Sequence, residues 1–115
     1  MQNKKENFQV QFLEEAIEFL DEIDSKVRKK IVYNVSKAQT MSDPQLFKKL
    51  NKDIWEFRTL YNGLQYRLLA FWDKTGEVDT FVIATHGFVK KVDKVPKNEI
   101  EKAENIRELY FEFKE

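Results

Sequence analysis

His86 is the only histidine in the 115-residue chain. The segment from His86-Gly87-Phe88 through Lys90-Lys91 to Lys94-Val95-Pro96-Lys97 sets four lysines beside it against one acid, Asp93. A neutral imidazole can move a proton near pH 7 and fixed cations can hold a phosphate, so these residue types together suit work on a phosphodiester. An alternating apolar segment, Val78 to Ala84, runs into this stretch and Pro96 opens a helical pattern after it. His86 is therefore expected at a strand end, with the lysines in the following loop, where rigid scaffolds present reactive groups. On residue types alone, the same stretch also fits a packed histidine beside a solvated lysine face.

A second basic segment lies upstream. Residues 46 to 67 carry Lys48, Lys49, Lys52, Arg58 and Arg67 against Asp53 and Glu56. Net charge is zero, yet residues 1 to 24 hold two lysines against seven acids and residues 98 to 115 three bases against six. Charge is thus segregated. If the two basic segments meet in the fold, they form a local cationic face able to steer a polyanion. Side chains alternate across a strand, so Arg58 and Glu56 oppose Trp55 and Phe57, and Arg67 opposes Tyr66 and Leu68. With the aromatic residues under helices, both arginines emerge on the other face, although Leu69 and Phe71 share Arg67's parity. A guanidinium there offers a phosphate two parallel hydrogen bonds and a permanent charge.

The elements that must position these groups are legible in outline. Phe8, Val10 and Phe12 alternate as a first strand. Leu13, Ala16, Ile17, Leu20 and Ile23, then Val27, Ile31, Val35 and Ala38, recur at helical spacing, with Asp24-Ser25 as a cap between them. This pattern predicts a helical hairpin. Ser42-Asp43-Pro44 closes it, and Gln45 to Leu50 is read as one further turn. Ile54 onward, Leu64 to Trp72 and Val78 to His86 read as an antiparallel meander with turns at Asn62-Gly63 and Lys74-Thr75-Gly76. Pro96 starts a last helix whose buried side is expected to hold Ile100, Ala103, Ile106, Leu109, Tyr110 and Phe113. The predicted class is α+β: an N-terminal helical hairpin and a C-terminal helix packed on a small, mostly antiparallel sheet, as one domain over 1–115.

Composition narrows the function classes. A hydrophobic fraction of 42% with ten phenylalanines supports a real core, and 35% charged residues supports a soluble surface. No apolar run approaches the ~20 residues of a membrane span, and no hydrophobic segment follows the lysines of Met1 to Asn7, so a cytoplasmic protein without a membrane partner is expected. With no cysteine and one histidine, neither a thiolate nor a histidine metal site is expected, and no cofactor is indicated.

The motifs resemble the HigB-type toxins of the RelE/ParE superfamily, in the branch related to phage-derived proteins. That branch has a strand ending in His-Gly-Phe, then Lys-Lys, then Lys-x-Pro before the last helix. Here these are His86-Gly87-Phe88, Lys90-Lys91 and Lys94-Val95-Pro96. Leu50 to Arg58 (LNKDIWEFR) and Tyr66-Arg67-Leu68-Leu69 are similar to its Trp-Glu and Tyr-Arg strands. The resemblance implies a toxin that cleaves mRNA in the ribosome without a metal, restrained by a helix-turn-helix antitoxin through which alone it would meet operator DNA. Carried over, Arg67 and Arg58 would hold the phosphoryl oxygens, His86 would serve as acid or base, and Lys90 would assist. Lys91, Lys94, Lys48, Lys49 and Lys52 would bind flanking RNA. Glu56, in phase with Arg58, reads as a salt-bridge partner or as a base, and Tyr110 is a further candidate for proton transfer. Two other readings stay open: a ParE-like toxin acting on DNA gyrase without nuclease chemistry, and an inactive relative serving as a DNA-binding co-repressor with its antitoxin.

Overall fold

Asn62 and Gly63 adopt left-handed backbone, with φ of 49° and 76°, and make a two-residue turn of the kind that matches strand twist. This turn sets the register around the candidate site: Tyr61 faces Leu64, and Arg58 faces Arg67. The structure, a computed structural model, describes residues 6–76 and 80–114. Within them the order is β1 (Gln9–Phe12), α1 (Glu14–Glu22), α2 (Ser25–Thr40), β2 (Phe47–Lys49), β3 (Trp55–Tyr61), β4 (Leu64–Asp73), β5 (Phe81–Lys90) and α3 (Lys97–Glu112). The strands form one sheet in the order β1-β5-β4-β3-β2, antiparallel except for β1, which runs parallel to β5. The α+β class predicted from the sequence is the one observed. Among the described residues no helix is long and apolar enough to cross a membrane.

Each sheet face has its own core. On the first, Phe57, Tyr66, Leu68, Ala70, Val82 and Ala84 pack under Ala16 and Leu20 of α1 and Val27, Ile31, Val35 and Ala38 of α2. The apolar stripe of α2 is the one its spacing predicts. Asp24 occupies the N-cap position of α2, but its side chain makes no capping hydrogen bond. On the second face, Ile54, Leu69, Phe71 and Ile83 pack under Ala103 of α3. β4 is therefore covered on both sides, which explains why Leu69 and Phe71 share the parity of Arg67.

Three expectations need correction. Phe47–Lys49 is a strand rather than a helical turn, because the Phe47 ring stacks on Trp55 and Phe57 of β3 at centroid distances of 4.8 Å and 4.4 Å. β5 does not stop at His86; it continues through Lys90 beside the full length of β4. Of the expected strand start, Val78 lies outside the described residues. The buried side of α3 runs through Ala103, Ile100, Tyr110 and Phe111, while Leu109 and Phe113 are exposed.

An irregularity in β5 decides the site. Leu69 faces His86 but Ala70 faces Ala84, so Thr85 is an extra residue in β5, a β-bulge. A bulge shifts the alternation by one. Without it His86 would join Val82 and Ala84 under the helices. With it His86, Phe88 and Lys90 lie on the face of Arg67. Gly87 now points toward α1, where the Phe19 ring occupies the place a Cβ would take.

Candidate functional site

Register places the candidate side chains in rows across the second face, because directly paired residues of neighbouring strands point the same way. Lys48, Glu56, Leu69 and His86 form one row; Arg58, Arg67 and Phe88 the next; Leu60, Gln65 and Lys90 the third. The bulge at Thr85 and the turn at Asn62-Gly63 thus bring four of the expected basic residues, Lys48, Arg58, Arg67 and Lys90, onto one face. They span β2 to β5, about 15 Å of sheet at ~4.8 Å per strand.

Two arginines side by side need an anion between them. Glu56 supplies it: its carboxylate lies 2.9 Å from Arg67 Nε and 3.6 Å from Arg58 Nε. Arg67 is 1% exposed; its Nε meets Glu56 as an ion pair outside hydrogen-bond alignment, and its Nη1 donates to Gln65 Oε1 and to the Tyr66 carbonyl, both at 3.1 Å. Burial lowers its pKa, partly offset by the attraction of Glu56; a guanidinium nonetheless keeps its proton. Arg58 is different. Its side chain is 30% exposed and its Nη1 donates to the Pro44 carbonyl at 3.3 Å. Beside it opens a shallow hollow of ≈ 310 Å³ lined by Gln45, Arg58, Thr59, Leu60 and Gln65. Arg58 is thus the guanidinium a phosphate can reach, while Arg67 lies beneath, fixing Glu56.

His86 is sealed, at 3% exposure. Its Nε2 lies 3.0 Å from Glu99 Oε1 at the start of α3, and its Nδ1 lies 2.9 Å from Thr85 Oγ1. Burial lowers its pKa, with the Glu99 hydrogen bond acting against that and Lys102 adding to it. The neutral ring carries its proton on Nε2, which donates to Glu99, and accepts at Nδ1 from the Thr85 hydroxyl. Protonation of Nδ1 would turn that hydroxyl to its other neighbour, the Leu69 carbonyl at 3.2 Å. Two strands, about 10 Å, separate His86 from the Glu56 with which it shares a row, so the histidine and Arg58 do not meet at one phosphorus in this arrangement.

The remaining candidates divide. Lys90 donates to the Asp93 carbonyl at 2.9 Å, closing the loop that carries the exposed Lys91 and Lys94. Lys49, paired with Trp55, lies on the opposite face from Lys48, and Lys52 lies in the bend before β3. Neither joins the Arg58 cluster. Tyr110 is at the far end of α3, where its hydroxyl donates to Asp73 Oδ2 at 2.7 Å. Burial pushes the Asp73 carboxyl up, but hydrogen bonds from Thr75, Tyr110 and Lys114 outweigh this and hold it well below the usual range. Burial and Asp73 push the Tyr110 phenol up to about 12. This tyrosine anchors α3 rather than facing the arginines.

Sequence reasoning missed Glu99 as the partner of His86 and Gln65 as the partner of Arg67. The first had a signal: an acid three residues after Pro96 lies in the first turn of α3, which the chain must bring back over β5. The second follows only from knowing that Gln65 and Arg67 are i and i+2 on one strand face. Among the described residues, no group of three or more His, Cys, Asp or Glu side chains could hold a metal ion.

This arrangement coincides with a family match. The model of the Phage derived protein Gp49-like (DUF891) family matches residues 18–108, from within α1 to within α3. The chain belongs to this family. The Gp49-like family is a RelE/HigB-like toxin family, consistent with a toxin of a toxin-antitoxin system. The matched segment holds every candidate residue discussed above except Tyr110. No curated protein matches the chain.

Proposed function

We propose that this Gp49-like chain is the toxin of a toxin-antitoxin pair and cleaves mRNA on the ribosome. The observation that carries the reading is the Arg58–Glu56–Arg67 cluster, a buried carboxylate flanked by one buried and one accessible guanidinium, with Lys48 in the row of Glu56 and Lys90 in the row beyond the arginines. RNA cleavage needs the 2′-hydroxyl deprotonated, in-line geometry at phosphorus, neutralisation of the added negative charge and a proton for the departing 5′-oxygen. Arg58 is placed to hold the non-bridging oxygens, which a planar fork does in two hydrogen bonds. Lys48 on one side and Lys90, Lys91 and Lys94 on the other take the flanking backbone. When Arg58 turns to a phosphate its 3.6 Å contact with Glu56 is released, and that carboxylate accepts the hydroxyl proton as the 2′-oxygen bonds to phosphorus; the bond from phosphorus to the 5′-oxygen breaks and the departing oxygen takes its proton from solvent water. Arg67 keeps Glu56 in place. His86, through Glu99, holds the start of α3 against β5 and so positions the Lys90–Lys94 loop.

The burial of His86 and Arg67 favours a second reading, a ParE-like toxin that blocks DNA gyrase through protein contacts. Induction of the chain alone in bacteria separates the two. The proposal expects growth arrest with loss of translation and with cleaved transcripts, relieved by a helix-turn-helix protein from the same operon. Arrest with intact transcripts and gyrase-linked DNA breaks would replace it with the second reading.

A further inference from the structure

Lys49 and Lys52 leave the arginine site for another one. At the end of the sheet away from Lys90, these two lysines, Lys74 and Arg107 surround Trp55 and Trp72 in a hollow of ≈ 450 Å³. The indoles meet edge to face, 5.7 Å apart at 73°, and both are half-buried. A second hollow of ≈ 390 Å³ shares Lys49 and both tryptophans, so the indoles form the wall between two openings.

Charge and aromatic surface point to one kind of ligand. Among the described residues the one acid lining the first hollow is Asp53, which lies 3.6 Å from Arg107. Among the described residues Lys49, Lys52 and Lys74 form no ion pair; Lys74 instead lies 5.1 Å from the centre of the Trp72 ring. The Trp72 Nε1–H is shielded from solvent and finds no acceptor among the described residues. Half-exposed indoles among unpaired cations make a stacking platform with an electrostatic rim, the combination by which proteins hold unpaired bases and their phosphates. β2 is the edge strand of the sheet. Its neighbours Lys48 and Lys49 point to opposite faces, so a polyanion crossing this edge passes from the row of Glu56 to the indoles without leaving positive charge.

We propose that the hollow between Trp55 and Trp72 binds a nucleobase and adjoining phosphate of single-stranded RNA, on the strand whose cleaved bond lies at Arg58. It rests on the RNA-cleaving reading above. The probe is an eight-nucleotide single-stranded oligo(A), 2′-O-methylated so that it cannot be cleaved, titrated against intrinsic tryptophan fluorescence without ribosomes from 50 to 200 mM salt. Parent protein shows saturable quenching. Lys49→Ala/Lys52→Ala/Lys74→Ala weakens binding by about tenfold or more and reduces the steepness of its logarithmic salt dependence by about 2. Trp72→Leu costs roughly 5- to 150-fold; should that variant fail to fold, the lysine variant, which changes exposed residues only, still decides. Three results overturn the inference: unchanged affinity and salt dependence in the lysine variant, equal binding of a blunt RNA duplex whose bases cannot stack on an indole, or no saturable quenching in the parent. Cleavage is read separately on ribosomes. A chain that cleaves mRNA with no dependence on these lysines loses this inference alone, whereas one that binds the oligonucleotide but cleaves nothing overturns the nuclease reading.

Discussion

Glu56→Gln tests whether the arginine cluster is held together as described. The substitution keeps the size of the side chain and removes its charge, leaving Arg67, 1% exposed, without an anion. Breaking a buried pair by neutralising one partner costs about 3–5 kcal/mol, since the surviving charge remains in a poorly solvated place. The second contact, to the 30% exposed Arg58 at 3.6 Å, is screened and adds at most about 1 kcal/mol. A chain of this length has a total stability of roughly 6–17 kcal/mol. The variant should therefore stay folded at 25 °C but melt roughly 10–20 °C lower. Thermal and urea unfolding followed by circular dichroism measure this. A double variant, Glu56→Gln/Arg67→Met, removes both charges and fills the space with an apolar chain, so it should recover most of the loss. A Glu56→Gln protein within about 1 kcal/mol of the parent, or a double variant less stable than the single one, would refute the buried pair.

Gly87→Ala sets a methyl group into the Phe19 ring and should cost about 1–3 kcal/mol by overpacking, with Phe19→Leu restoring part of it in unfolding experiments. The Asp73 carboxyl has a lowered pKa in the fold, so its contribution is complete above the unfolded value of about 3.9 and disappears as pH falls below it. Tyr110→Phe removes the 2.7 Å hydrogen bond and should cost about 1.5–3 kcal/mol at pH 7; because the folded carboxyl still ionises well below the usual range, the cost should fall only in part by pH 2, as read from urea midpoints at both. His86 also has a lowered pKa: below about pH 6.5 the unfolded chain takes up a proton that the fold resists, so stability should fall from pH 7 to pH 5. His86→Asn should lose that part of the pH dependence, and an unchanged profile would show that the Glu99 hydrogen bond cancels the effect of burial on the imidazole.

Much of the fold was legible because local chemistry and tertiary structure agree. Asn62-Gly63 admits the two left-handed residues that its turn requires, and Val27, Ile31, Val35 and Ala38 keep one face of α2 apolar over three turns. What failed did so for physical reasons. Three residues such as Phe47-Lys48-Lys49 carry no periodicity, and only the aromatic stack with Trp55 and Phe57 makes them a strand. The bulge at Thr85 leaves a faint trace: apolar residues on the α1 face shift from even positions, Val82 and Ala84, to odd ones, Gly87 and Val89, but Phe81 and Ile83 mask it. Arg58 and Arg67 were correctly placed on one face by parity alone. Their different burial was not legible, because it depends on what α3 and the loop before it leave uncovered. Lys49 and Lys52, grouped with the arginines by sequence proximity, belong to the tryptophan end of the sheet because adjacent strand residues point opposite ways.

In the proposed reaction Arg58 is the guanidinium that reaches the scissile phosphate. Single-turnover cleavage of mRNA on purified ribosomes by the parent, Arg58→Lys and Arg58→Ala measures that directly, with a melt of each protein alongside. Loss of a charge-stabilising donor is worth about 10²–10³ in rate. Arg58→Ala should therefore cleave at least about a hundredfold more slowly while remaining folded, and Arg58→Lys should fall between, keeping the charge without the fork. A folded Arg58→Ala protein that cleaves at the parental rate would contradict the account, and the phosphate would have to be held elsewhere.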